Sequence, residues 1–545
     1  MAPIGRALRV RSPDGGAAID DLRPERPHGP IGEWADGIRP AAGAPRRRWR
    51  GHVVGAGSAG FLVSGGSSGS PYTADVLSVG RTTAVLFAVA ALAGLPGALL
   101  AQSPEALTAV DGVVRSEMAR QHIPGVSLAV VKGGAPILVK GYGLANVEHD
   151  VPVTPETIFE SGSLGKQFTA AAVMLQVEDG TLALEDSIAR FFPGAPATWR
   201  PITVRHLLTH TSGIPDYTVG SFDYRRDYDE DALVRAAMEL KLEFPAGSRW
   251  NYSNTGYVLL GVIVHKVSGQ FYGDVLKARV FTPLGMPTAR VISEAAIVKH
   301  RAAGYELRGG VLENQDWVSP TLNTTADGSL YLSARDLLAW DAGVRDRKVL
   351  RPESWAQVLQ PVRLTSGQPY PYGFGWSIGE RGGQPLHEHG GSWQGFKTQY
   401  SRFIGDDLSI IVLANLAQAD PALIADRVAA TLNPMLSVRE LAPIEDREPA
   451  ITTRVTALLQ SARQGRLAPA DFAYLRAGFF PDGPARYAKL LADAGPLQTL
   501  VLLDRRELGD DRVSVYDVVC ASARLRLTVS LAPDGKVAVF SLRNP

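Results

Sequence analysis

The sequence predicts an α+β fold built on an antiparallel sheet, and two hairpins with helices between them are the observations behind this prediction. Residues 125–148 read as two strands around a Gly-Gly turn at 133–134, and residues 398–417 read as a later hairpin around a Gly-Asp-Asp turn. Helix-like segments occupy much of the chain between them. This arrangement favours pairing of the early and late hairpins in one sheet flanked by helices.

Three segments are predicted to be helices of the main domain. Residues 104–123 have apolar positions at helical spacing, and residues 256–269 form a second, more apolar helix. Residues 163–180 are apolar on most sides and end at Gly180. A helix that is apolar all round is usually buried, so this one is expected at the centre of the domain.

A second, smaller domain is predicted after a charged, Pro-rich stretch at 433–450. The predicted boundaries are 103–435 for the main domain, 436–450 for the linker and 451–545 for a small α+β accessory domain. In the accessory domain, residues 451–492 read as two or three helices and residues 497–543 as strands, with a tight turn at 532–536. No grouping of nucleophile, base and oxyanion donor occurs there, so function is expected in the main domain.

The N-terminal region is predicted to lie outside both domains. Residues 1–75 are rich in Gly, Pro, Ser and Arg and lack a sustained apolar period, which indicates a disordered or mis-called extension. Residues 76–102 contain an apolar run behind Arg81 and read as a signal peptide, with an uncleaved anchor as the alternative. We therefore expect a true start at or near Val76 or Val79, and a periplasmic or secreted protein.

Composition and charge argue against several classes of function. In this chain of 545 residues the formal net charge is +1, so no nucleic-acid partner is expected. Cys520 is the only cysteine, which excludes an internal disulfide and a cysteine-bound metal centre. His387 and His389 form a pair without accompanying ligands, so we expect no metal and no cofactor. The G-x-G-x-x-G spacing at 55–60 suggests a nucleotide-dependent oxidoreductase as an alternative. No strand–turn–helix unit surrounds the motif, so this alternative is rejected.

The segment 159–170 places Ser163 three residues before Lys166, at the start of the predicted central helix. These positions share a helix face, so a neutral amine at Lys166 could take the Ser163 proton and activate the hydroxyl as a nucleophile. Burial would lower the pKa of the lysine and favour this role. The alternative is a serine that caps the helix, followed by a solvated surface lysine.

Two later segments contain further candidate residues. Tyr252 and Asn254 precede the apolar helix at 256–269, where a tyrosine could relay a proton and an amide could orient a carbonyl substrate. His389, the remaining candidate catalytic residue, begins a His-Gly-Gly run, and glycine lets a substrate approach the backbone closely. The candidate oxyanion and substrate-binding residues are Ser163, Gly391 and Ser392, with Trp393 as a candidate wall of the pocket.

In chain order, these three motifs resemble those of the serine β-lactamase and penicillin-binding-protein-like superfamily, especially its class C β-lactamase and esterase branch. The resemblance covers about residues 105–435 and is reinforced by 204–217, 283–289, 326–340 and 372–376. It implies a β-lactamase/transpeptidase-like fold, in which an all-helical region accompanies the antiparallel sheet and its flanking helices.

The resemblance also implies a mechanism. Ser163 would attack an amide or ester carbonyl and form an acyl-enzyme, while Lys166 and Tyr252 share general acid and base duties. Asn254 would hold the substrate or the lysine, the backbone N–H groups of Ser163 and Ser392 would form the oxyanion hole, and water would release the acyl group. The expected partner is a small molecule or peptide, with membrane contact only through an uncleaved anchor. A catalytically silent sensor or scaffold of the same fold is the alternative.

The third motif departs from the family pattern. His389 and Gly390 stand where antibiotic-hydrolysing members usually carry Lys-Thr, so a permanent cation and a hydroxyl are missing. An imidazole with an ordinary pKa of about 6.5 is mostly neutral at pH 7. The sequence therefore predicts poor turnover of acidic β-lactams and better turnover of esters or peptide-like amides.

The remaining histidines and aromatic residues near these motifs are interpreted mainly as packing residues. His206 and His210 are expected to pack at a helix end. The aromatic side chains that could either line a pocket or simply pack are Tyr372, Phe374 and Trp376.

Overall fold

The computed structural model describes residues 103–218, 222–476 and 478–543. The predictions for residues 1–75 and 76–102, including the glycine motif at 55–60, lie outside the described residues. Among those described, no helix has the length and apolar character needed to cross a membrane.

Helices and strands occur in consecutive groups along the described chain. The α-helices are α1 Pro104–Gln121, α2 Lys166–Glu178, α3 Val204–Leu208, α4 Glu230–Met238, α5 Asn254–Ser268, α6 Tyr272–Leu276, α7 Thr282–Leu284, α8 Ala334–Arg345, α9 Pro352–Val358, α10 Pro421–Leu432, α11 Pro449–Arg463 and α12 Asp482–Asp493. The β-strands are β1 Gly125–Lys132, β2 Ala135–Asn146, β3 Val151–Pro152, β4 Ile158–Glu160, β5 Arg290–Val291, β6 Tyr305–Arg308, β7 Val311–Asn314, β8 Leu330–Ser333, β9 Val362–Arg363, β10 Pro369–Tyr370, β11 Ser377–Arg381, β12 Gln384–Trp393, β13 Phe396–Phe403, β14 Leu408–Ala414, β15 Leu497–Leu508, β16 Asp511–Cys520, β17 Arg524–Leu531 and β18 Val537–Arg543.

A seven-stranded antiparallel sheet forms the centre of the main domain, in the order β11-β12-β13-β14-β1-β2-β3. β1 pairs with β14 from Val126↔Ala414 to Lys132↔Leu408, so the early and late hairpins share one sheet. The predicted α+β class, with an antiparallel sheet flanked by helices, is confirmed.

The two faces of β14 contact separate hydrophobic cores. Ile411 and Leu413 belong to a core shared with α2, α5 and α8, whereas Ile410 and Val412 belong to a core shared with α1 and α10. Successive side chains of a strand point to opposite faces, which explains the split. Because helices cover both faces, every residue of this strand is buried, and its sequence is almost continuously apolar.

The central helix is buried as predicted but begins later than the sequence suggested. In α2, the residues from Lys166 to Gln176 are all buried. Ser163 lies outside it, in a preceding 3-10 turn at Gly162–Gly165, so the prediction of a helix starting at 163 was wrong by three residues. Gly162 has φ +51°, a left-handed conformation that lets the chain turn sharply after β4.

A smaller α+β unit follows the main domain. Its helices α11 and α12 pack on the antiparallel meander β15-β16-β17-β18, and the turn predicted at 532–536 lies between β17 and β18. The described stretch 437–448 before it contains no helix or strand. This unit contacts the main domain through an ion pair of 2.9 Å between Arg249 Nη1 and Asp511 Oδ1.

Candidate active site

The turn that carries Ser163 is fixed from two sides by its neighbour Ser161. The Ser161 hydroxyl donates to the Gly328 carbonyl at 2.7 Å, and the Thr398 hydroxyl of β13 donates to the Ser161 carbonyl at 2.8 Å. Ser163 is partly exposed, whereas the flanking Gly162 and Leu164 are buried. The fold therefore presents the Ser163 hydroxyl at the surface of a rigid turn.

Lys166 is fully buried beside Ser163, and this excludes the alternative of a solvated surface lysine. Its Nζ lies 3.1 Å from Ser163 Oγ, 2.6 Å from Asn254 Oδ1 and 2.5 Å from the Asp327 carbonyl oxygen. Ser163 does not cap α2, since the residue at the cap position is Gly165 and no side chain caps the helix there. The two residues thus form a nucleophile–amine contact within hydrogen-bond reach.

Burial lowers the pKa of Lys166 to about 8, against the smaller opposing effects of the carboxylates of Asp327 and Asp216. Both carboxylates accept hydrogen bonds from other residues of the site. Asn254 Nδ2 donates to Asp216 Oδ2 at 2.9 Å, and the Tyr217 hydroxyl donates to Asp327 Oδ2 at 3.0 Å. The two carboxylates partly offset the effect of burial, so the pKa of the Lys166 amine stays near physiological pH.

Tyr252 lies on the other side of the lysine, with its ring centroid 4.9 Å from Lys166 Nζ. Burial raises the pKa of Tyr252 well above 10, and the neighbouring Ser163 hydroxyl offsets this only in part. The contact with Ser163 falls short of a full hydrogen bond, so the buried Tyr252 hydroxyl has no hydrogen-bond partner among the described residues. A protonated, unpartnered phenol beside a nucleophile is available to a reacting group.

The predicted oxyanion segment lies on β12, directly against the Ser163 turn. A Cβ on Gly391 would lie 1.9 Å from the Ser161 carbonyl oxygen, and a Cβ on Gly162 would lie 2.3 Å from the Ser392 backbone nitrogen. Only glycine fits at both positions. The close approach places the Ser392 amide beside the turn of Ser163, where two backbone donors could face one developing oxyanion.

Trp393 ends this strand and is held in place by its indole. Its Nε1 donates to Asn323 Oδ1 at 2.7 Å, and its ring packs against two small clusters that include Leu322 and Tyr331. The indole remains partly exposed. Trp393 can therefore form a fixed apolar wall next to the oxyanion segment.

His389 is buried in the site and carries no charge at neutral pH. Burial, with a smaller contribution from the nearby Lys166, lowers its pKa to about 4 against the opposing effect of a hydrogen bond to the Gly390 carbonyl. Its Nδ1 lies 2.6 Å from that carbonyl oxygen and its Nε2 lies 2.9 Å from the Tyr372 hydroxyl. A lysine at this position would supply a permanent cation, and this neutral histidine supplies none.

Four further residues contribute to the site. Asp216 and Asp327 were not predicted from the sequence, whereas His210 and Tyr372 were interpreted mainly as packing residues. The His210 ring lies 4.2 Å from the Tyr252 ring, and His210 contacts Tyr372 as well, so its interpretation as a packing residue at a helix end was incomplete. The available sequence signal was the polar run at 209–212, and the structure buries all four of its residues. His206, by contrast, accepts a bond from the Thr203 amide at the start of α3.

Of the three aromatic residues that were predicted either to line a pocket or to pack, two pack in the core and one contacts the site. Phe374 and Trp376 belong to the main hydrophobic core, whereas the Tyr372 hydroxyl reaches His389. Within the part of the chain that the structure describes, no three His, Cys, Asp or Glu side chains are grouped as metal ligands.

The sequence matches a known family over this whole domain. The family model for Beta-lactamase matches residues 110–433, more than half of the chain. The chain belongs to the β-lactamase family. The resemblance inferred from the three motifs is thereby confirmed, and with it the membership in a family of serine hydrolases.

Two curated members of the β-lactamase family illustrate its range. Penicillin-binding protein 4* of Bacillus subtilis (strain 168) is 31% identical over 318 residues, covering 55% of this chain and 69% of that protein. A D-aminopeptidase of Gluconobacter oxydans (strain 621H) is 28% identical over 332 residues, covering 59% of this chain and 62% of that protein.

Solved structures of the β-lactamase fold also align. The octameric penicillin-binding protein homologue from Pyrococcus abyssi gives a TM-score of 0.54 at 23% identity, covering 80% of this chain and 99% of that chain. The D-amino acid amidase from Ochrobactrum anthropi SV3 gives 0.54 at 24% identity, covering 60% of this chain and 99% of that chain. At these identities the likeness concerns the fold alone.

The contact between β12 and the Ser163 turn generates a first prediction. Gly391→Ala should lower the thermal midpoint and slow the reaction of Ser163 with a fluorophosphonate at least tenfold, because the new methyl group displaces the Ser161 backbone; overpacking of this kind costs about 1–3 kcal/mol. Gly379→Ala on β11 is the matched control, since its Cβ would meet nothing closer than 3.9 Å. Equal melting and labelling of the two variants would contradict the proposed contact.

Proposed function

We propose that this protein hydrolyses amide or ester bonds through an acyl-enzyme on Ser163. The arrangement around Lys166 Nζ is the observation that supports this most strongly. Two of its three neighbours, Asn254 Oδ1 and the Asp327 carbonyl, can only accept hydrogen bonds. A neutral amine has two N–H bonds and one lone pair. When both N–H bonds serve these acceptors, the lone pair is left for the third neighbour, the Ser163 hydroxyl.

The reaction then follows from the position of each group. Neutral Lys166 takes the proton of Ser163 Oγ as the oxygen attacks the substrate carbonyl. The backbone N–H groups of Ser163 and Ser392 stabilise the oxyanion of the tetrahedral intermediate. Tyr252, whose raised pKa keeps it protonated, gives its proton to the leaving amine or alcohol and recovers one from Lys166. In the second half of the reaction Lys166 takes a proton from the attacking water, Tyr252 returns a proton to Ser163 Oγ as the acyl bond breaks, and the acid is released.

The neutral third motif favours substrates without a carboxylate opposite His389. A carboxylate placed there would lose its hydration without gaining a cation, because the lowered pKa leaves the imidazole uncharged at pH 7. Neutral amides, peptides with an amidated C-terminus and esters avoid this cost. The relative named D-aminopeptidase agrees with this substrate class.

Covalent labelling tests the nucleophile. We expect a fluorophosphonate probe to add its mass to the peptide that contains Ser163, and Ser163→Ala to abolish both the adduct and turnover of p-nitrophenyl acetate. Lys166→Met should slow labelling by about 10²–10⁴-fold, the usual contribution of a general base. An adduct on any other serine, or full turnover by Ser163→Ala, would rule out the proposal.

A substrate panel tests the specificity. For p-nitrophenyl esters or D-amino acid amides we expect kcat/KM to exceed that for nitrocefin, which carries a carboxylate, by at least 100-fold. This follows from the absence of a cation at His389. Methyl esterification of the β-lactam carboxylate is the matched control and should narrow the gap. A kcat/KM for nitrocefin near the diffusional range would refute this preference.

The pH profile tests the role of the lysine. The amine acts as a base only when neutral, so activity should rise with pH through the pKa of Lys166 at about 8. Between pH 7 and pH 9 the neutral fraction, and with it kcat/KM for a neutral ester, should rise roughly tenfold. The raised pKa of Tyr252 keeps its proton in place over the same range.

Asp216 provides the control for this profile, because its negative charge raises the pKa of Lys166. Asp216→Asn should therefore move the midpoint to lower pH, while Asn254 keeps an acceptor for its amide. A wild-type profile that is flat or falls between pH 7 and pH 9 would contradict a lysine base.

A further inference from the structure

We propose that His210 and Tyr372 are positioning residues, which join the Tyr252 segment to β12 through a one-way chain of hydrogen bonds. The chain begins at the Ser253 backbone N–H and ends at the Gly390 carbonyl. Its effect on turnover rests on the proposed function, but its existence does not.

The chain consists of four contacts in series. Ser253 N lies 3.2 Å from His210 Nδ1, and His210 Nε2 lies 3.2 Å from the Tyr372 hydroxyl oxygen. That oxygen lies 2.9 Å from His389 Nε2, and His389 Nδ1 lies 2.6 Å from the Gly390 carbonyl oxygen. His210 and His389 are 1% and 6% exposed, so water is largely excluded from the rings.

The groups at the two ends of this hydrogen-bond series require the same direction of donation along it. A carbonyl only accepts, so His389 Nδ1 must carry a hydrogen, and its Nε2 must then accept from Tyr372. At the other end a backbone N–H only donates, so His210 Nδ1 must be the acceptor and its Nε2 must carry the hydrogen. The Tyr372 hydroxyl fits between them, since it accepts from His210 and donates to His389. Each of the three side chains has one consistent proton position.

The chain links the two motifs that flank the Ser163 turn. Ser253 follows Tyr252 directly, and the His210 ring lies 4.2 Å from the Tyr252 ring. Gly390 directly precedes Gly391, whose close approach places the Ser392 amide. A shift of either segment would stretch a buried hydrogen bond, so the chain fixes the Tyr252 hydroxyl relative to the oxyanion donors.

This arrangement also changes the expected role of His389. His389 was predicted from the sequence to be a catalytic residue, yet both of its ring nitrogens are engaged by Tyr372 and Gly390. No N–H of the imidazole remains for substrate. His389 therefore acts as a positioning residue together with His210 and Tyr372, and a substrate group facing it meets an uncharged ring.

The tautomers can be measured on the resting protein. In long-range ¹H–¹⁵N spectra of full-length protein labelled with ¹⁵N-histidine at pH 7.5, we expect His389 as the Nδ1–H tautomer and His210 as the Nε2–H tautomer. His210→Gln and His389→Gln assign the signals. The opposite tautomer at either histidine would overturn the proposal. Because no turnover is needed, this result is independent of whether Ser163 forms an acyl-enzyme.

Tyr372→Phe tests the link itself, because it removes only the shared hydroxyl. We expect the His389 Nε2 resonance to move toward that of a nitrogen without a hydrogen-bond donor, and kcat to fall about tenfold or more with KM changed less than about threefold. Tyr370→Phe, two residues earlier, is the matched control and should leave the histidine spectrum and kcat unchanged. A Tyr372→Phe protein with wild-type His389 resonances would refute the link, and one with an altered histidine spectrum but wild-type kcat would refute the positioning role.

Discussion

The burial of one amine, that of Lys166, is the interaction on which the rest of the site depends. Removing an ammonium group from water is costly unless partners replace the lost hydration, and burial therefore shifts the equilibrium toward the neutral amine. The partners come from distant parts of the chain: the Ser163 turn, Asn254 at the start of α5 and the carbonyl of Asp327 before β8. The same folding event that buries the amine thus lowers its pKa and places it beside Ser163, as the proposed role of a base requires.

The sheet supplies the second requirement, which is a backbone donor beside the nucleophile. β12 approaches the Ser163 turn so closely that Gly391 and Gly162 leave no room for a side chain. Gly328 approaches the turn from the loop before β8 in the same way, since a Cβ there would lie 2.3 Å from the Gly162 carbonyl oxygen. Three backbones meet at one point, and glycine at each of them is a steric condition for that meeting.

Local features of the sequence predicted the parts of this structure that local interactions determine. The hairpins around 133–134 and 398–417, the buried α2 and the accessory meander follow from apolar periodicity and turn residues. The Ser163–Lys166 contact followed from helical spacing, although the 3-10 geometry of the turn did not, since it depends on the left-handed Gly162. The residues that were missed act across long separations: His210 and Tyr372 are 162 positions apart and meet only in the folded core. Spacing along the chain carries no signal for such a contact.

Burial has a different consequence for each ionisable group of the site, and the differences determine the chemistry. Desolvation always favours the neutral form, so it lowers the pKa of Lys166 and His389 but raises that of Tyr252. The proposed mechanism uses this outcome: an amine with a pKa near neutral pH as the base, a phenol that keeps its proton as the acid, and a third motif without charge. In a scaffold with a lysine in that motif, the same cleft would offer a cation to substrate. Here the buried, uncharged imidazole of His389 makes two internal hydrogen bonds. In the proposed function, selection among substrates therefore depends on shape, the Trp393 wall and hydrogen bonding to neutral groups.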